Sequence, residues 1–181
     1  MSIEFVQSFN QYTALATMCL LVAGLYLLYD YKTGKSLKQY IDTFGLKIAF
    51  LLTLFGSAMT LFYSEVIGYV PCGLCWLERM MLYPQVIILA IAWKYNDFLA
   101  VRHTVGLSVI GFIISLYHHY IQMGGSEFVA CPTSGVSCSK RLVFEYGFVT
   151  FPLMATILFG FLIILYLYIY KLKNKAFVIT D

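Results

Sequence analysis

The chain has 181 residues, of which 61% are hydrophobic and only 12% are charged. Its mean hydropathy of +0.81 lies above the range of soluble globular domains, so the composition excludes a soluble enzyme and indicates an integral membrane protein in contact with the lipid bilayer. The net charge of +3 is small, and the sequence contains no phosphate-binding glycine loop, repeat or low-complexity tract. We therefore expect no nucleic-acid partner.

Five apolar runs are long enough, or nearly so, to cross about 30 Å of hydrocarbon as helices that rise about 1.5 Å per residue. Lipid offers no partner for backbone polar groups, so each run must be helical, and runs that are apolar on every side do not fit a β-barrel. We predict an all-α integral membrane protein, in which a four-helix transmembrane bundle is joined by one additional N-terminal transmembrane helix. The predicted spans are 12–29, 46–69, 76–93, 104–123 and 150–170.

The basic residues predict the orientation of these spans. Nine of the twelve Lys and Arg residues fall in the loop 30–47, the segment 94–103 and the tail after residue 170. Because cytoplasmic loops carry the excess of positive charge, we expect the N-terminus outside, the C-terminus in the cytoplasm and both cysteine segments outside. The resulting division is residues 1–45 for the extra helix and a cytoplasmic loop, 46–175 for the bundle and 176–181 for a cytoplasmic tail.

Five cysteines occur, and four of them lie in the two outside segments. Cys19 stands alone within the first span and is expected to act as a small hydrophobe. Cys72 and Cys75 form a Cys-x-x-Cys pair, and Cys131 and Cys138 are separated by six residues. Three interpretations are open: structural disulfides, a zinc site or a redox system. A disulfide that closes the short Cys131–Cys138 loop would stabilise the fold by only about 2–3 kcal/mol. The spacing of this pair also fits zinc knuckles poorly. The redox interpretation is the one that uses every feature of the four cysteines at once.

The residues around the first pair favour reactive thiols. Pro71 suits the first turn of a helix, so we expect the third span to begin at the cysteines themselves. The thiols would then lie at the positive end of the helix, which favours thiolate. Arg79 follows Cys75 by four residues, on the same face, with Glu78 beside it. Arg79 could instead reach for lipid headgroups, but its place beside a thiol pair favours stabilisation of the Cys75 thiolate and of a carbonyl on a bound electron acceptor.

The stretch PCGLCWLER at 71–79, with a second outside cysteine pair between the next two spans, resembles the DsbB/BdbC family of membrane quinone-linked disulfide oxidoreductases. The resemblance covers roughly residues 46–170. The close spacing in ACPTSGVSCS at 130–139 is more similar to the short-loop BdbC branch. The leading span is a departure from the four-helix pattern of the family.

The resemblance implies an enzyme of the bacterial cytoplasmic (inner) membrane that supports disulfide bond formation. It would re-oxidise an extracytoplasmic thioredoxin-like dithiol protein, DsbA-like or BdbD-like, and pass the electrons to ubiquinone or menaquinone. By position, Cys72 and Cys75 would be the quinone-linked pair, with Cys75 nearest the quinone ring. Cys131 and Cys138 would form the shuttle disulfide presented to the partner, with Cys131 the preferred sulfur for attack.

Arg79 and one histidine would contact the quinone in this family interpretation. His118 and His119 are adjacent and cannot share a helix face, so at most one of them lies toward the site. The resemblance slightly favours His119. The alternative is that these histidines belong to the interfacial aromatic belt.

Two further alternatives stay open in the sequence. Residues 139–149 mix charged and apolar side chains, which fits either a short amphipathic tether for the shuttle cysteines or an ordinary linker. The competing class of function is a non-enzymatic membrane protein, such as a channel, transporter subunit or assembly factor, whose outer loops are braced by disulfides or zinc. Mid-membrane charges that would mark an ion or substrate pathway are absent from the predicted spans.

Overall fold

The computed structural model describes residues 3–33, 36–128, 131 and 136–179, the last six of these for the backbone only. Within these residues five helices each contain a stretch long and apolar enough to cross a membrane, and no strand is formed beyond an isolated bridge between Glu145 and Val149. The prediction of an all-α chain with five spans is confirmed. The helices are α1 (Ile3–Thr33), α2 (Lys38–Leu61), α3 (Gly73–Tyr95), α4 (Ala100–Gln122) and α5 (Phe151–Ile179).

The helix ends differ from the apolar runs in ways that follow from backbone hydrogen bonding. Several helices continue past the apolar residues, because polar turns at an interface still satisfy their own N–H and C=O groups. The run 46–69 behaves differently, since α2 is followed by a π-helical turn at Phe62–Val66 and the helix does not reach residue 69. The predicted tail 176–181 is helical as far as Ile179, and residues 180–181 lie outside the described residues.

The last helix holds the bundle together. α5 packs against α1, α2 and α4, while α3 packs between α2 and α4. Close contact with α4 depends on Gly111, where an added Cβ would come within 2.5 Å of the Phe159 ring. Deeper in the bundle, the amide oxygen of Gln85 accepts hydrogen bonds from the Ser108 hydroxyl at 3.0 Å and the Tyr166 hydroxyl at 2.9 Å. These three interior side chains therefore satisfy one another, as a lipid environment demands.

The additional helix α1 is held at both ends. Near its C-terminal end, the Asp30 carboxylate accepts a hydrogen bond from the Tyr168 hydroxyl at 2.6 Å and from two backbone N–H groups before α2 at 2.9 and 3.0 Å. At the other end, the Tyr63 hydroxyl donates to the Asn10 side chain at 2.9 Å, and the Tyr63 ring lies 4.4 Å from that of Phe151. Helices that follow one another in the chain run in opposite directions, so residues 62–72 and the described residues between α4 and α5 meet at one end of the bundle, called the cysteine end below.

Candidate active site

The first cysteine pair is mounted at the start of α3, as the sequence predicts. Cys72 is the N-cap, with extended backbone angles of φ −77° and ψ 174°, and its sulfur accepts the backbone N–H of Cys75 at 3.4 Å. Both thiols are free, and their sulfurs lie 2.9 Å apart. The pair thus combines the positive end of a helix with a distance that needs little movement to form a disulfide.

The second pair is closed and packs against the first. Cys131 and Cys138 form a disulfide, in which Cys138 is fully buried while Cys131 is only partly buried. Cys138 and Cys72 belong to one buried cluster with Leu74 and Ile121, and Cys75 and Cys131 lie at its margin. The fold therefore brings all four predicted cysteines to one place at the cysteine end.

The histidine next to this cluster is His118. Its Nε2 lies 3.6 Å from the Cys72 sulfur, and its Nδ1 lies 2.9 Å from a carboxylate oxygen of Glu78. His119, the residue favoured by the family resemblance, turns away, and its Nδ1 lies 2.8 Å from the hydroxyl of Thr150. Adjacent residues on a helix differ by about 100° in direction, so only one of the two reaches the cysteines.

The C-terminal end of α4 fixes the disulfide loop. The carbonyl oxygen of Cys138 lies 3.2 Å from His118 Nε2 and 3.5 Å from the Gln122 amide nitrogen, which also donates to the Lys140 carbonyl at 3.3 Å. Arg141 in turn donates to the backbone carbonyl of Gln122. Gln122 is not recognisable as a site residue from the sequence, because its role depends on loop carbonyls that carry no signature in the side-chain pattern.

Residues 139–149 form turns rather than a helix. Val143 and Val149 are buried, and the Arg141 guanidinium lies 4.7 Å from the centre of the Phe144 ring. Large apolar side chains of this segment, Phe144 among them, also stay partly exposed. The segment is thus anchored by Val143 and Val149 while keeping an apolar outer surface.

Arg79 lies on the other side of the first pair, against α2. It is 8% exposed, donates from Nη2 to the Thr60 carbonyl at 2.8 Å and lies 5.3 Å from the Trp76 ring centre. Thr60 lies two residues before the π-helical turn at Phe62–Val66, a type of irregularity that often accompanies functional sites. Arg79 makes no other hydrogen bond to the residues that the structure describes, so its remaining N–H groups can serve an acceptor from outside the chain.

The charge of the reduced pair falls on Cys72. The hydrogen bond from the Cys75 thiol, followed by the contact with His118, lowers the pKa of the Cys72 thiol far below its ordinary value, although burial opposes the shift. Stabilisation of a Cys75 thiolate by Arg79, beside a bound electron acceptor, stays a prediction. In the chain alone the imidazole of His118 faces Cys72, whereas Arg79 donates to the Thr60 carbonyl.

Residues 42–169 match the family model described as Disulfide bond formation protein DsbB. The chain belongs to the DsbB family. The SPbeta prophage-derived disulfide bond formation protein B of Bacillus subtilis is similar to it, with 42% identity over 122 residues that cover 67% of this chain and 82% of the relative. Disulfide bond formation protein C of the same organism is 37% identical over 116 residues, covering 63% and 81% of the two chains. A Probable disulfide formation protein C 1 of Bacillus anthracis is 34% identical over 143 residues, covering 78% and 99%.

No solved structure matches the chain at a significant level. The family model matches only residues after α1, and the match includes α3, α4, both cysteine segments and most of α2 and α5. Membership, together with five membrane-length helices, assigns a multi-pass membrane protein with a role in disulfide bond formation. The resemblance to the DsbB/BdbC family is thereby confirmed.

Proposed function

We propose that this DsbB-family protein is a quinone-dependent protein-disulfide oxidoreductase that re-oxidises an extracytoplasmic thioredoxin-like protein of the DsbA or BdbD kind. The observation that supports this most directly is the shared buried cluster of Cys72 and Cys138. Thiol–disulfide exchange requires attack of a thiolate on a sulfur of the other pair, so the pairs must meet. Disulfides that only brace outer loops have no need of this contact.

The exposure of the loop disulfide suggests how the partner reacts. Cys138 is fully buried, whereas Cys131 is partly accessible. We propose that a partner thiolate attacks the Cys131 sulfur and that Cys138 leaves with the electron pair of the broken S–S bond. The partner's second thiolate then attacks its own mixed-disulfide sulfur, so the partner departs oxidised and both loop cysteines are reduced.

The electrons next pass within the chain. A loop thiolate attacks the Cys72–Cys75 disulfide at Cys72, Cys75 leaves as thiolate, and the second loop thiolate resolves the mixed disulfide. The loop disulfide is restored and the Cys72/Cys75 pair is left reduced, which is the combination of states seen in the structure. No oxidant is consumed in this step.

The surroundings of Arg79 fit a quinone. A quinone, when bound, accepts two electrons and two protons from a dithiol. The guanidinium of Arg79 keeps unused donors for a carbonyl oxygen, one helical turn from Cys75. Trp76 beside it is 50% exposed, which leaves an aromatic wall toward the lipid. We propose that Arg79 and Trp76 hold the ring of ubiquinone or menaquinone; a quinone contact by His119 stays a prediction.

The orientation predicted from the basic residues agrees with this scheme. We propose that the cysteine end faces the outside of the bacterial cytoplasmic membrane, with the N-terminus outside and the C-terminus in the cytoplasm. The division into residues 1–45, 46–175 and 176–181 is retained on the same basis. A partner outside the cell would then meet Cys131 directly.

A zinc-braced membrane protein is the second candidate, because Cys72, Cys75 and His118 place their ligand atoms within 4.8 Å of one another. Their arrangement does not fit a structural zinc site. Two thiolates on one tetrahedral zinc would stand about 3.8 Å apart, given Zn–S bonds of about 2.3 Å, whereas these sulfurs are 2.9 Å apart. The two loop cysteines, Cys131 and Cys138, are bonded to each other and so do not offer a fourth ligand. We therefore assign no metal site here.

The deciding experiment is single-turnover oxidation of a reduced thioredoxin-like protein by the purified full chain in detergent, with ubiquinone or menaquinone reduction followed optically. The variants are Cys75→Ser and, as a matched control, Cys19→Ser, because Cys19 is an exposed thiol in α1 outside the cysteine cluster. Quinone reduction in wild type and Cys19→Ser that is lost in Cys75→Ser supports the proposal. No turnover with either quinone, together with stoichiometric bound zinc, contradicts it and favours the braced protein.

A further inference from the structure

We propose that Glu78, His118 and Cys72 form a proton relay, in which His118 exchanges a proton with the Cys72 sulfur at Nε2 while Glu78 holds the ring at Nδ1. The inference rests on the proposed thiol exchange and names residues that govern it. In this relay His118 is a catalytic residue, since it touches a reacting sulfur. Glu78 is a positioning residue, because it acts through His118.

The geometry places the three groups in line. His118 is completely buried and contacts the Glu78 carboxylate at Nδ1, 2.9 Å away, and the Cys72 sulfur at Nε2, 3.6 Å away. A carboxylate at Nδ1 fixes a proton on that nitrogen, which leaves the Nε2 lone pair facing the sulfur. The same nucleophile–base–orienter order is what activates cysteine or serine in other enzymes.

The acceptors around the ring favour the protonated imidazolium. Glu78 accepts from one nitrogen, and both the Cys72 sulfur and the Cys138 carbonyl oxygen lie near the other. Gln122 donates to the same Cys138 carbonyl, so that oxygen is held in place beside Nε2. An imidazolium next to a thiolate and a carboxylate satisfies every donor of the ring in a site closed to water.

The relay lies close to three further titratable or charged groups among the described residues. The titratable or charged groups that act on its members, besides one another, come from the first turns of α3 and from α4 itself. They are Cys75, Arg79 and His119.

The relay acts in the step of the internal exchange at which Cys72 leaves the mixed disulfide. When the second loop thiolate attacks the loop sulfur of the mixed disulfide, the loop S–S bond forms and Cys72 leaves with the electron pair of the broken bond. The imidazolium stabilises this leaving thiolate by its Nε2–H, which accelerates its departure. The reverse proton transfer, from the Cys72 thiol to Nε2, readies Cys72 to form a disulfide again.

The test is the pH profile of Cys72 alkylation in the fully reduced protein, followed on the Cys72 peptide by mass spectrometry with a small haloacetamide. The pH at the midpoint of the profile reports formation of the Cys72 thiolate. Limited access of the reagent to a buried sulfur lowers the maximal alkylation rate but does not move the midpoint. The variants are Glu78→Gln and His118→Gln, and the matched control is His119→Gln, one residue away on another helix face. Glu78→Gln keeps the shape of the side chain, so the relay is tested even if His118→Gln does not fold.

We expect wild type and His119→Gln to share a midpoint well below that of a free thiol. Glu78→Gln should raise the midpoint by a unit or more, which makes alkylation about tenfold slower at a pH below both midpoints. Unchanged midpoints in Glu78→Gln, or an equal shift in His119→Gln, would overturn the relay. The assay uses neither quinone nor partner, so a relay without turnover would count against the proposed function alone.

Discussion

Asp30 is expected to be the residue on which the docking of α1 depends most. Its carboxylate is 2% exposed and accepts three hydrogen bonds, from the Tyr168 hydroxyl and from two backbone N–H groups ahead of α2. Hydrogen bonds to a charged group contribute about 1.5–3 kcal/mol each, and deleting the acceptor leaves buried donors unsatisfied. Allowing for partial relaxation, we expect Asp30→Ala to lower the free energy of unfolding by about 3–6 kcal/mol.

The matched control is Asp42→Ala at the same end of the bundle. Asp42 pairs with Lys173 at 2.7 Å, but the two side chains are 48% and 28% exposed, so this pair is expected to contribute about 0–1 kcal/mol. Both variants can be unfolded by denaturing detergent in mild micelles and followed by tryptophan fluorescence. Equal losses in the two variants, or a loss below about 1 kcal/mol for Asp30→Ala, would refute the assignment of Asp30 as the anchor.

Two further changes test the packing of the bundle and of the loop. Gly111→Ala should destabilise the protein by about 1–3 kcal/mol, because the new Cβ would lie 2.5 Å from the Phe159 ring. A Cβ added at Gly106 on the same helix meets nothing within 4 Å, so Gly106→Ala should leave the free energy of unfolding unchanged. Equal losses of stability in Gly111→Ala and Gly106→Ala would contradict this reasoning. Gln122→Leu removes the donor to the Cys138 carbonyl, so a water-soluble phosphine should reduce the loop disulfide several-fold faster, whereas an unchanged rate would show that Gln122 does not hold the loop.

The spans and the start of α3 could be predicted because they depend on local rules. An apolar run in lipid forms a helix because its backbone polar groups must bond to one another. Pro71 followed by Cys72 is typical of the start of a helix. The π-helical turn at Phe62–Val66 could not be predicted in this way. It interrupts a continuous apolar run, and nothing in that run distinguishes an extra residue per turn from regular helix.

The choice between the two histidines required the structure. Small and polar residues of α4 recur every three or four positions, at Thr104, Ser108, Gly111 and Ser115, and His118 continues this buried face. That periodicity separates His118 from His119, but only the structure shows that the face meets Cys72 and Glu78. Glu78 was noted only as the neighbour of Arg79, because its partner lies forty positions later in the chain. Contacts of this kind depend on helix rotation and loop docking, which a single sequence leaves open.

The docked loop disulfide also limits the access of solvent to Cys72. Cys138 at 0% exposure and Cys72 at 4% share one buried cluster, so small thiols and oxidants dissolved in the surrounding water have little access to the Cys72 sulfur while the loop stays in place. In the proposed exchange, electrons reach Cys72 by way of the loop, whereas Cys75 is partly exposed and stays accessible from outside the loop. The contact that we propose for exchange between the pairs therefore also protects Cys72 from side reactions with dissolved thiols.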